Sequence, residues 1–82
     1  MIKIYTTPTC PYCRMAKKML KELNLDFNEI NVFGNSKLRA EMTSLSGGHT
    51  VPQIFVNGES IGGFDDMYAE HRMGRFLNRF DL

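Results

Sequence analysis

The chain reads as an α/β fold, a four-stranded mixed sheet flanked by helices in the order β-α-β-α-β-β-α. Three observations predict it. Apolar residues alternate at the start of the chain and take up a helical period from Pro11. The apolar run Ile54-Phe55-Val56 is followed by Asn57-Gly58, the strongest short signal for a hairpin. Asparagine or glycine closes or interrupts each helical stretch, at Asn24, Gly47-Gly48 and Gly74.

Taken in order, Ile2-Lys3-Ile4-Tyr5-Thr6 alternates apolar and polar residues and reads as a strand, broken by Thr7-Pro8-Thr9. Beyond Pro11, Met15, Ala16, Met19, Leu20 and Leu23 mark one helical face opposite Lys17, Lys18, Lys21 and Glu22. Phe27 to Val32 is a second strand, less cleanly patterned. Gly34-Asn35-Ser36 supplies a turn and an N-cap for a helix carrying Leu38, Met42 and Leu45. Thr50-Val51-Pro52 leads into Ile54–Val56, a run suited to a buried strand, and Glu59 to Gly62 returns antiparallel. Gly63-Phe64 turns into a last helix, capped by Asp65 or Asp66, with Met67, Tyr68, Phe76 and Leu77 on its buried side. Gly74 ends or bends that helix.

Eighty-two residues fit a single domain, 1–82, with 43% hydrophobic and 23% charged residues and no low-complexity tract. A formal charge of +1 and the lack of any Lys/Arg run argue against a nucleic-acid partner. No apolar stretch reaches transmembrane length and Met1-Ile2-Lys3-Ile4 does not begin a secretory signal, so a cytoplasmic protein without membrane attachment is expected. In that compartment a lone cysteine pair is more often catalytic or metal-binding than structural.

The chain's only two cysteines form Cys10-Pro11-Tyr12-Cys13 at the expected start of the first helix. With Cys10 as N-cap and Pro11 as first helical residue, the N–H groups of Tyr12 and Cys13 face the Cys10 sulfur at the positive end of the helix dipole. Both effects favour thiolate over thiol. Cys13, inside the first turn, is expected to be more buried and more thiol-like. Helix polarity alone therefore divides the labour: Cys10 attacks a disulfide and Cys13 resolves the mixed disulfide. A static disulfide closing so short a loop has little value in a reducing compartment. Zinc wants four ligands, and beyond the pair only His49 and His71 remain, neither at zinc-finger spacing, so no metal is expected.

Two further segments, Thr50-Val51-Pro52 and Gly62-Gly63-Phe64-Asp65-Asp66, follow the cysteine pair in that order. Together the three resemble the motifs of the glutaredoxin family, over essentially the whole chain and closest to its short bacterial dithiol members. The resemblance implies a thioredoxin-like fold and a glutathione-disulfide oxidoreductase with glutathione as co-substrate. It implies a cis bond before Pro52, and pairing of the Val51 backbone with the cysteinyl part of glutathione. Thr50 and Pro52 belong to that segment. It further implies that Gly63, Phe64 and Asp65 receive the γ-glutamyl end, the Phe64 and Asp65 amides taking its carboxylate and an Asp its ammonium. Arg39 would face the glycyl carboxylate, and the Tyr12 ring would pack against the bound peptide. Disulfide-containing or glutathionylated proteins are the implied partners, ribonucleotide reductase among the candidates, and a monomer is expected.

The same resemblance leaves two other readings open. One is a glutaredoxin-like carrier recycled by thioredoxin reductase, which the Gly-Gly-x-Asp-Asp segment argues against. The other is an iron–sulfur carrier, two chains sharing a cluster through one cysteine each and two glutathiones. Pro11 argues against it, because the family's cluster binders more often have Gly or Ser there. Two departures stand out. Thr7 occupies a position where many dithiol members carry Lys, and Phe64 one where many have Cys or a small residue. Arg72, Arg75 and Arg79 read as a solvated face.

Overall fold

The computed structural model describes residues 1–82. Its central strand is β1 (Ile2–Thr6), whose alternation sends Ile2 and Ile4 to one face of the sheet and Tyr5 to the other. β1 pairs in parallel with β2 (Asn28–Asn31) and antiparallel with β3 (Gln53–Val56), and β3 pairs antiparallel with β4 (Glu59–Gly62). The sheet order is β2-β1-β3-β4.

Each face of this sheet is covered. α1 (Pro11–Glu22), the crossover between the parallel strands, buries Ala16 and Leu20 against Ile2, Ile4, Ile54 and Val56. α3 (Phe64–Arg72) and the short α4 (Phe76–Arg79) complete that layer with Met67 and Phe76. On the other face α2 (Ser36–Ser46) sets Met42 against Tyr5, Val32 and Phe55. Every residue of β3 is buried, as a strand covered on both faces requires.

Several elements depart from the sequence reading. β2 is shorter than Phe27–Val32: Phe27 packs against the larger core cluster just before it, and Val32 just after it still donates its N–H to the Thr6 carbonyl at 2.9 Å. Its polar, mostly exposed residues suit an edge strand, which explains the poor pattern. Met15, Leu45 and Tyr68 are exposed instead of buried. Met15 lies off the stripe formed by Cys13, Ala16 and Leu20, and Tyr68 stacks along the outside of α3. The last helix breaks at Gly74, in a left-handed conformation with φ 70°, and resumes as α4. Arg75 and Arg79 are not merely solvated: Arg75 pairs with Glu70, Arg79 with Glu59, and Arg72 lies 5.9 Å from the Tyr68 ring centre.

Asn57 and Gly58 both adopt positive φ, 52° and 85°, the pair of left-handed residues that a two-residue hairpin needs. Near the other end of this hairpin Ile54 faces Gly62 while Phe55 faces Ser60, so β4 carries a bulge beside the glycine pair. No helix is long and apolar enough to cross a membrane.

Candidate active site

The site begins where β1 gives way to α1. Cys10 caps the helix in extended conformation, Pro11 opens it, and the Cys13 N–H donates to the Cys10 sulfur at 3.1 Å. Tyr12 makes no such bond, so one amide and not two serves that sulfur. The Cys10 thiol in turn donates to the Val51 carbonyl at 3.6 Å. The two thiols are free and unlike each other. Cys10 retains 9% of its surface and Cys13 only 1%, so a reagent reaches Cys10 first. Burial pushes the Cys13 thiol up to about 12, helped by its hydrogen bond to Cys10 and opposed by the Thr7 backbone and the charge of Lys17.

The second wall comes from the loop before β3. The Val51–Pro52 bond is cis, and Pro52 is buried. Gln53, 5% exposed, donates its side-chain amide to the Thr50 carbonyl at 3.0 Å and so ties the loop back on itself. A polar residue opening an otherwise apolar strand is the one sequence signal that could have exposed this role, and the sequence reading passed over it.

The third wall is the start of α3. Its N-cap position is Gly63, and of the two aspartates expected to cap the helix it is Asp66 that does so. Asp66 sits at the third helical position and its carboxylate accepts the Gly63 N–H at 3.0 Å, a reach back that only this position allows. Gly62 has φ 107°, and a Cβ on it would stand 2.8 Å from the Asp66 carboxyl carbon, so glycine is required there. The Phe64 and Asp65 amides are among the first of the helix and have no partner within it.

These three walls enclose an open cleft of about 520 Å³ that brings together Tyr12, Thr50, Val51, Pro52, Gly63, Phe64 and Asp65. Gln53, Gly62 and Asp66 also line it, as do Ser46, Gly47 and Gly48, a contribution from the end of α2 that the sequence does not announce. Arg39 does not line the cleft. Its guanidinium reaches the His49 carbonyl at 3.5 Å, next to Thr50. Along the rim the Tyr12 and Phe64 rings stand 6.3 Å apart, and Phe64 stacks on Tyr68 at 5.8 Å. Neither cysteine lines the cleft, but Cys10 adjoins it through the Val51 carbonyl; a second cavity, about 370 Å³, lies away from the pair between Tyr5, Phe55 and Leu45.

A helix-capping cysteine, a buried partner thiol and a cis-proline loop on this sheet define a thioredoxin-like thiol–disulfide oxidoreductase. The chain belongs to the glutaredoxin family: the glutaredoxin family model matches residues 2–61. Over 68 residues the chain is 48% identical to glutaredoxin 3 of Escherichia coli, covering 83% of this chain and 82% of that protein. The solution structure of a glutaredoxin from Brucella melitensis superposes with a TM-score of 0.84 at 43% identity, covering 96% of this chain and 86% of that one. The crystal structure of a buckwheat glutaredoxin–glutathione complex gives a TM-score of 0.88 at 26% identity, covering 98% and 76% of the respective chains.

Proposed function

We propose that the chain is a glutathione-dependent dithiol oxidoreductase acting on protein disulfides and glutathione mixed disulfides. The observation that carries this reading is the continuity of the cleft. It runs from Val51, whose carbonyl touches the Cys10 sulfur, to the unpaired amides at the start of α3. A glutathione thiol seated at Cys10 would extend its cysteinyl backbone along Val51 as an added strand does. Its γ-glutamyl carboxylate suits the Phe64 and Asp65 amides at the positive end of α3. Its ammonium suits Asp65, since the Asp66 carboxylate is already engaged by Gly63. Tyr12 walls the peptide. Arg39, at the neighbouring His49, supports the glycyl carboxylate only from the outer edge.

In the reaction, the Cys10 thiolate attacks a disulfide sulfur. A Cys10–substrate disulfide forms as the original bond breaks, and the departing thiolate takes a proton from solvent. Cys13 then resolves a protein mixed disulfide, and glutathione restores the dithiol. Where the adduct is glutathione itself, a second glutathione suffices. The protein acts as a monomer and one domain in the cytoplasm, with glutathionylated or disulfide-bonded proteins as partners and ribonucleotide reductase a candidate among them.

Two variants test this. Cys13→Ser retains deglutathionylation in a glutathione-coupled assay and loses most reduction of protein disulfides. Cys10→Ser loses both. A Cys10→Ser protein as active as wild type sinks the assignment. Reduction of the oxidised protein by thioredoxin reductase with NADPH, in place of glutathione, separates the carrier alternative, because rapid reduction there and slow reduction by glutathione would overturn glutathione dependence.

A further inference from the structure

Beside the cysteine pair, three side chains from three elements converge. Thr6 at the end of β1 donates its hydroxyl to Glu29 of β2 at 2.7 Å, and Lys17 of α1 donates to the same carboxylate oxygen at 2.9 Å. Both hydrogen bonds hold Glu29 in its charged form. Partly exposed ion pairs of this kind contribute little to stability. The position of this one gives it another use. Lys17 follows Cys13 by one helical turn, on the same side of α1, and helical side chains lean toward the N-terminus. Its ammonium, held by Glu29, is one helical turn from Cys13, and its charge favours ionisation of that thiol. Thr7, directly after the Thr6 that anchors Glu29, presents its backbone in the sense that favours Cys13 ionisation.

Cys13 needs that help. It is nearly inaccessible, and burial opposes the thiolate it must become before it can attack. The charged and titratable groups around it are few. Cys10 opposes its ionisation and Lys17 favours it, while Lys21 joins Lys17 in keeping Glu29 charged.

We propose that the Thr6–Glu29–Lys17 clamp holds a fixed positive charge beside Cys13, making Lys17 a positioning residue for the resolving step. The inference rests on the division of roles between Cys10 and Cys13. In that step Cys13 gives its proton to solvent, its sulfur bonds to the Cys10 sulfur, and the Cys10–substrate bond breaks to release the substrate thiolate, which is protonated by solvent. Lys17 keeps its proton throughout. A more acidic thiol is also a weaker nucleophile, with a Brønsted slope of about 0.4–0.5, so roughly half of any change in acidity survives in the rate. Loss of the charge is therefore expected to slow resolution on the order of two- to fivefold at neutral pH.

The test is a single turnover with a peptide–glutathione mixed disulfide, quenched in acid and followed by intact-protein mass. Attack by Cys10 appears as a glutathione adduct, and resolution as its conversion to the internal disulfide. Lys17→Gln should form the adduct at the wild-type rate, resolve it two- to fivefold more slowly, and show the rise of the resolving rate displaced to higher pH. Lys17→Arg should restore resolution. Glu29→Ala decides between positioning and simple field effects. Removing a negative charge speeds resolution if only the field matters, and slows it if the carboxylate holds Lys17 in place. Unchanged resolution in Lys17→Gln, or faster resolution in Glu29→Ala, overturns the proposal. A glutathione adduct formed by Cys10→Ser and not by Cys13→Ser would instead overturn the assignment of the nucleophile.

Discussion

At the scale of single residues, the asymmetry between the cysteines has a thermodynamic consequence. Cys13 binds its proton more tightly in the folded protein than an unfolded thiol does. Its contribution to stability is therefore fully present below the ordinary thiol value, about 8.5, and is lost as pH rises toward its folded value of about 12. The reduced protein should melt at progressively lower temperature through that window. Cys13→Ser, with no thiol to ionise there, should fall less steeply. Equal alkaline slopes for the two proteins in thermal melts under reductant would contradict the burial argument. The asymmetry itself was legible in the sequence, because helix polarity distinguishes a capping position from one inside the first turn. That Cys13 and not Tyr12 supplies the amide was not legible, since it depends on the detailed geometry of one turn.

Elements carry the site's second half, and here two adjacent carboxylates have separate tasks. Asp66 caps α3 through Gly63, whereas Asp65 has no hydrogen bond within the protein and lines the cleft. Asp66→Ala should cost about 1 kcal/mol, the usual value for a helix cap. For a domain of this size that lowers the melting temperature by about 4–8 °C. Asp65→Ala should melt within about 0.5 kcal/mol of wild type, as surface changes do, yet raise the KM for glutathione severalfold. Melting curves and steady-state kinetics on the two proteins check both halves. If Asp65→Ala is the more destabilising, the assignment of cap and ligand is reversed. The Gly-Gly-Phe-Asp-Asp segment was readable as a helix start, but not which Asp reaches back. The choice follows from Gly63 being the N-cap, and the bulge in β4 that places Gly63 leaves no mark in the local pattern. The end of α2 was invisible for a related reason. Gly47 and Gly48 read as a helix stop, and only the tertiary arrangement makes that stop a wall of the cleft.

For the whole molecule, the element order and the mixed character of the sheet followed from periodicity, the Asn57-Gly58 turn and the helix caps. The strand order β2-β1-β3-β4 did not, because pairing is decided by which strands can be covered on both faces. β1 and β3 satisfy that condition through Tyr5, Phe55 and the Ile2, Ile4, Ile54, Val56 set, which face opposite helices. The larger cluster also draws on residues beyond position 61, where the family model ends: Met67 from α3 and Phe76 from α4, each fully buried. A segment that looks like an appendage in sequence, after the break at Gly74, thus completes the core beneath α1. Phe76 is not itself among the residues that line the cleft, so its removal tests whether folding and chemistry separate. Truncating a buried Phe to Ala costs about 3–5 kcal/mol, against a total of about 5–15 kcal/mol for native proteins. Phe76→Ala should therefore lower the melting temperature by at least about 12 °C. Its kcat/KM measured well below that transition should stay near the wild-type value. A variant that melts like wild type would mean that α4 contributes little to the core. One that keeps its stability while losing activity would place α4 in the active site and not beneath it.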